Sequence, residues 1–342
     1  STTAGKAKFT GATGPTITSI TITGGNHADE DSTATFNYAL TSTSVTLDDN
    51  TGSSYIIFAE NNSVTIAGTI DGAANGEGTL QVTGTLKTFS GAVGNTYRIN
   101  VLDIDTATSF SSSVATTTVT IDGIINTATS LNVSSTSAIN ADITTTGTQT
   151  YTGAATLNAD VILTTTNNNI SFGSTINSLN TTYRDLSLVT GSGNVSVTGI
   201  IGASNKLDVL TVNNTGTLTL SAATTVNTLT LTHTGGTTVG GTLTATTINL
   251  TDTTDAANIT FNGNVSATTL NTAAEGYNVI FNGTTSSITN AVTFSNSGSV
   301  TFGNGTGDTT TFTGGVTATA PSQVNLAGTI RTTNNTMSLG DA

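Results

Sequence analysis

Cysteine and tryptophan are absent from this chain, methionine occurs once, and the two prolines are Pro15 and Pro321. Without cysteine there are no disulfides, no thiolate zinc site and no thiol nucleophile. Two prolines supply no Pro-rich linker, although 342 residues would fill two or three ordinary domains. Charge is scarce as well, at 8% of residues against about 25% in a typical soluble protein. Only 7 residues are Lys or Arg and the formal net charge is −13. Such a surface repels phosphate backbones and anionic lipid, so nucleic acid is not an expected partner. No stretch approaches the roughly 18 apolar residues of a membrane helix, so no membrane insertion by this chain is expected. The sequence starts at Ser1 without an initiator Met or a signal peptide. That start points to a removed leader or to a piece of a longer chain.

What remains is Thr, Ser, Asn, Gly and Ala, punctuated by Val, Ile, Leu and Phe. A polar bias of this kind can mean disorder, but disordered chains are rich in Pro, Glu and Lys. Here those residues are rare, and the apolar ones recur at short intervals flanked by Thr. Thr and the β-branched residues suit a pleated, half-buried surface. No segment places apolar residues at i, i+3, i+4 and i+7, so helices are not expected.

The chain also repeats itself. NITFNGNVSATTL at 258–270 is echoed by NVIFNGTTSSIT from Asn278, and Phe261, Phe281 and Phe302 follow one another at 20 and 21 residues. An apolar–x–Gly–x–apolar phrase recurs around Gly68, Gly84, Gly91, Gly123, Gly199, Gly263, Gly314 and Gly328. Alternation of period two turns Ile259, Phe261 and Val265 inward, and Thr260, Asn262 and Asn264 outward. A central Gly can take positive φ and turn a corner. Short strand, corner, short strand at a period of about 20 predicts an all-β parallel β-helix, a β-solenoid, with like residues stacked from rung to rung. About 14 rungs at roughly 4.8 Å each would give a rod of about 65 Å. The same stacking explains the missing charge, since like charges on successive rungs would face each other. A string of β-sandwich domains is the competing architecture, and it would need linkers that are not visible.

Residues 1–58 depart from the pattern, being richer in acids and aromatics. They are expected to form an N-terminal β cap or small β domain, with Phe36, Tyr38, Tyr55 and Phe58 as a local core, ahead of a repeat region at 59–342. A cap would cover an end strand that otherwise templates aggregation.

GTIDGAANGEGTLQVTGTLKTFSGAVGN (68–95), TTTGTQTYTGAATLNADVIL (144–163) and TFTGGVTATAPSQVNLAGTI (311–330) resemble repeats of large bacterial surface and secreted β-strand-repeat proteins. These include autotransporter passengers and filamentous-haemagglutinin-like adhesins. The resemblance covers roughly residues 60–340. It implies an extracellular or cell-surface β-helix used for adhesion, coating or filament building, with self-association into a filament or surface layer and a host or surface glycan receptor as partners. No translocator barrel or secretion domain accompanies it in the sequence.

No reaction can be read from the residues, and the chain is expected not to be an enzyme. Acid–base work needs carboxylates brought together, and Asp103, Asp105, Asp122, Asp142, Asp160, Asp185 and Asp208 are scattered. No Ser sits in a nucleophile elbow. Calcium takes six to eight oxygens. Asp29, Glu30 and Asp31 in NHADED, Asp48 and Asp49 in LDDNTG, and Asp103 and Asp105 in VLDID are its candidate ligands. Each group also reads as a solvated turn or an outward strand face. His27 and His233 read as surface residues. Two alternatives to the structural reading stand beside it. One is a β-helical polysaccharide-binding or -cleaving module, with Asp103 and Asp105 as first targets. The other is an ice-binding surface, suggested by outward Thr runs such as TLTLTH at 228–233 and TLTATT at 242–247.

Overall fold

The computed structural model describes residues 5–9, 16–37, 40–59, 64–84 and 87–340. Among these residues there is no helix, and the strands pair in parallel. The fold is a parallel β-solenoid, about 15 turns in all with rungs of about 22 residues. The chain divides into two compact units, Ser1–Thr165 and Thr166–Ala342.

In the first unit one column of strands runs Lys6–Phe9, Ser32–Phe36, Ser54–Phe58, Glu77–Val82, Ile99–Ile104 and Ser113–Ile121. Parallel rungs are therefore present in the described part of 1–58. The last of these strands then divides. Its first half pairs Ser130–Val133 and its second half pairs Ser137–Ile139. Inward residues keep register throughout: Phe36 over Phe58, Phe58 over Val82, Val82 over Ile104, and Ile104 over Ile121. Phe36 and Phe58 are buried and stacked, with ring centroids 5.6 Å apart. Tyr55 departs from the expected local core. It is half-exposed, because counting back by twos from inward Phe58 reaches Ile56 and Ser54 and leaves Tyr55 on the outer side. Tyr38 lies outside the described residues.

The second unit follows the same rules. Strands Leu207–Asn214, Thr224–Thr234, Leu243–Thr253 and Val265–Thr272 stack in one column. Leu218–Leu220, Thr237–Val239, Asn258–Phe261, Asn278–Phe281 and Ser299–Phe302 stack in another. In Thr224–Thr234 the buried residues are Thr224, Val226, Leu229, Leu231 and Thr234. The doubled outward step at Asn227 and Thr228 shifts the alternation, so one long strand serves two inward segments. Further along the chain these segments separate. Val292–Thr293, Val316–Ala318 and Met337–Leu339 form a third small sheet.

The interior is apolar with polar stitches. Each fully buried Phe or Leu contributes about 1.5–3 kcal/mol over the exposed state. Buried polar side chains satisfy backbone at the corners. The Thr190 hydroxyl donates to Gly193 O at 2.6 Å, and Asn214 Nδ2 donates to the same oxygen at 3.1 Å. Buried Tyr151 donates to Gln149 Oε1 at 2.9 Å, and burial pushes its phenol pKa upward.

The corner glycines have two different reasons. Gly68 and Gly84 do take positive φ, at 93° and 89°. Gly123, Gly199, Gly263 and Gly328 do not. A Cβ on Gly263 would lie 2.2 Å from Gly241 O, the corner of the preceding rung. Most of the repeated glycines therefore serve close approach between rungs rather than handedness.

Candidate functional site

An alternating strand in a solenoid spends one side on the core and leaves the other for function. On the outer side of the first unit, Thr33, Tyr55, Thr79 and Val101 lie in one register row. Thr35, Ile57, Gln81 and Asp103 lie in the next. Over this face sits a cavity of about 400 Å³ whose lining includes Lys6, Asp29, Asp31, Tyr55, Ile57 and Gln81. Asp31 is steadied there, its Oδ1 accepting from Ser53 N–H at 3.0 Å. Gln81 Nε2 donates to Asp103 Oδ2 at 3.0 Å, which ties the cavity to the next rung.

The other acids take up separate tasks. Glu30 is buried, and its Oε2 accepts from Asn26 N–H at 3.1 Å. Asp48 Oδ1 accepts from Asn50 N–H at 3.1 Å. Asp49 bridges two rungs: its Oδ1 accepts from both the N–H and the hydroxyl of Ser54 at 2.7 Å, and its Oδ2 from Gly78 N–H at 2.8 Å. These are turn and rung contacts of the kind short acids make. Among the described residues no three or more His, Cys, Asp or Glu are placed to hold a metal ion.

Asp103, Asp105 and Asp122 do influence one another. Burial raises the Asp103 pKa, and the Asp105 carboxylate raises it further; the bond from Gln81 opposes this, and Asp122 adds a smaller upward push. Asp105 is raised by desolvation and by Asp122. Asp122 in turn accepts from Asn140 Nδ2 at 2.6 Å, one rung on. An amide stacked next to a carboxylate relieves the repulsion that a third stacked acid would cause.

Comparison with family models, with curated proteins and with solved structures found no match. The site therefore rests on its own chemistry.

The outer face of the second unit is a set of neutral ladders. Thr228, Thr247 and Thr269 share a row, as do Thr230, Asn249 and Asn271. Their polar groups largely bond one another. Asn249 Nδ2 donates to Thr230 Oγ1 at 3.3 Å, Asn271 Nδ2 donates to Asn249 Oδ1 at 2.8 Å, and the hydroxyls of Thr232 and Thr251 are 3.1 Å apart. Charge is nearly absent from this array. The strands Gln323–Leu326, Thr329–Thr332 and Met337–Leu339 pair on one side only among the described residues. Their rung exposes Leu326 at 54% and Met337 at 42%, although Leu326 shares the row of buried Phe302 and Met337 that of buried Val316.

Tyr55, Lys6 and Gln81 were not singled out as surface groups by the sequence reading. The signal for Tyr55 was present in the parity of SYIIF. The association of Lys6 with Asp29 and Asp31 was not, because it depends on strand Lys6–Phe9 pairing with Ser32–Phe36.

Proposed function

We propose that this chain is an extracellular structural and adhesive protein of a bacterial cell surface, working as a stacked β-solenoid that self-associates into a filament or surface layer. The observation that supports it most is the in-register stacking found in both units. Backbone hydrogen bonds run from rung to rung, apolar residues fill the inside, and neutral Thr and Asn ladders line the outer face of the second unit. Such a body resists force by loading many parallel hydrogen bonds together. The resemblance of its repeats to those of surface adhesins points the same way.

Self-association would proceed by strand addition. Parallel strands with a free edge and exposed apolar residues are templates for another rung. A head-to-tail contact propagates into an open filament when its rotation does not close a ring. Electron microscopy of the purified 342-residue chain at micromolar concentration is the test. Filaments or sheets are expected, and particles that stay monomeric over a concentration series would remove the assembly claim.

A further inference from the structure

We propose that the cavity over Tyr55 on the first unit binds a neutral carbohydrate; this rests on the adhesive half of the reading above and names the ligand class it would hold. A sugar ring has an apolar C–H face and a rim of hydroxyls. A site for it needs an apolar floor and a border of fixed hydrogen-bonding groups. Tyr55 and Ile57 sit two residues apart on the outer side of strand Ser54–Phe58, both half-exposed. They supply the floor, with the Tyr hydroxyl as a polar tip. Asp29 and Asp31 in the lining can accept hydroxyl protons, and Lys6 can donate. Gln81 commits its Nε2 to Asp103, which orients its Oε1 as an acceptor. The cavity, about 400 Å³, falls within the roughly 300–1,000 Å³ of small-molecule sites.

The charge pattern narrows the ligand. The lining carries one ammonium and two carboxylates, and Asp103 lies one rung beyond Gln81. That border disfavours uronates, phosphates and sulfated sugars, and it favours polyols that donate hydrogen bonds. Tyr55 sits on a strand paired on both sides, by Ser32–Phe36 and by Glu77–Val82, so the floor is held rigid before any ligand arrives.

Affinity electrophoresis of the full chain in gels containing soluble glucan, mannan or galactan tests this, with polygalacturonate and chitosan gels alongside. Retardation by at least one neutral polysaccharide is expected. Tyr55→Ala should weaken it about tenfold or more, as truncating a central aromatic anchor does. Tyr55→Phe should bind within about threefold of the unaltered chain. Unfolding midpoints of both variants, measured in parallel, confirm that they fold. Should Tyr55→Ala fail to fold, the exposed loop variant Asp29→Ala takes its place, with a severalfold loss expected. Retardation by no neutral polysaccharide overturns the proposal. So does retardation confined to polygalacturonate or chitosan, and so does binding unchanged in Tyr55→Ala or its replacement. Filaments without glycan retention sink this site alone, and glycan retention by a permanent monomer sinks the assembly claim alone.

Discussion

Phe261 lies flat against Phe281, with ring centroids 5.3 Å apart and planes 22° from parallel. The two residues are register partners on parallel strands one rung apart. Phe302 continues the column at 5.8 Å and 10°. Phe281 is thus enclosed by a ring on either side, and Phe294 meets it edge-on at 6.4 Å. Phe281→Ala should lower stability by about 3–5 kcal/mol, because neighbouring rungs cannot close the gap without breaking register. Phe281→Leu should cost less than half as much. Urea unfolding at equilibrium measures both. A cost below about 1 kcal/mol for the alanine variant would mean that the column is not a packed core.

Gly263 tests the claim that rungs touch backbone to backbone. Its missing Cβ would fall 2.2 Å from Gly241 O and 2.3 Å from Gly241 C. Gly263→Ala should destabilise by about 1–3 kcal/mol, as overpacking does. Gly307 meets nothing within 4 Å, so Gly307→Ala should stay within about 0.5 kcal/mol. Thermal melts of the pair settle the matter, and equal midpoints would refute the close-approach account.

The scarcity of charge also becomes testable. Asn282 Nδ2 donates to Asn262 Oδ1 at 2.9 Å. Asn282→Asp replaces that donor with an acceptor and should cost about 0.5–1.5 kcal/mol. Adding Asn262→Asp places two carboxylates about 4.8 Å apart on adjacent rungs. Stability should fall further, and should recover in part in high salt. A doubly acidic variant as stable as the parent at low salt would leave the low charge without its stacking explanation.

Much of this was legible in the sequence because parity is a local property. Ile259, Phe261 and Val265 are buried as the alternation requires, and the spacing of Phe261, Phe281 and Phe302 gave the rung length. Parity also determines which residues face outward, and it puts Tyr55 outside although an aromatic side chain by itself suggests core. The reason for the glycines was harder to see. Gly68 needs its φ of 93°, whereas Gly263 needs only the absence of a side chain, and sequence shows the same letter for both. What a sequence read one stretch at a time could not show was which acids become neighbours. Asp103 and Asp122 are 19 residues apart in sequence, and only the rung length decides that they interact. Lys6 and Tyr55 share a cavity for the same reason.

The acidic strip makes a prediction about pH. Asp103 titrates above its ordinary 3.8, chiefly through burial and then through Asp105. An acid raised in the folded state holds its proton there more tightly than in the unfolded chain. Its contribution to stability is therefore fully present below the unfolded value and is lost as pH rises through the folded one. Asp105 is shifted in the same direction, so the two act together. Asp103→Asn keeps an oxygen to accept the Gln81 bond and removes the charge. The variant should be more stable than the parent at neutral pH, and the advantage should shrink as pH falls toward 3.8. Urea midpoints for both proteins from pH 3 to pH 7 give the comparison. A difference that stays constant across that range would show that Asp103 is not held in the environment described here.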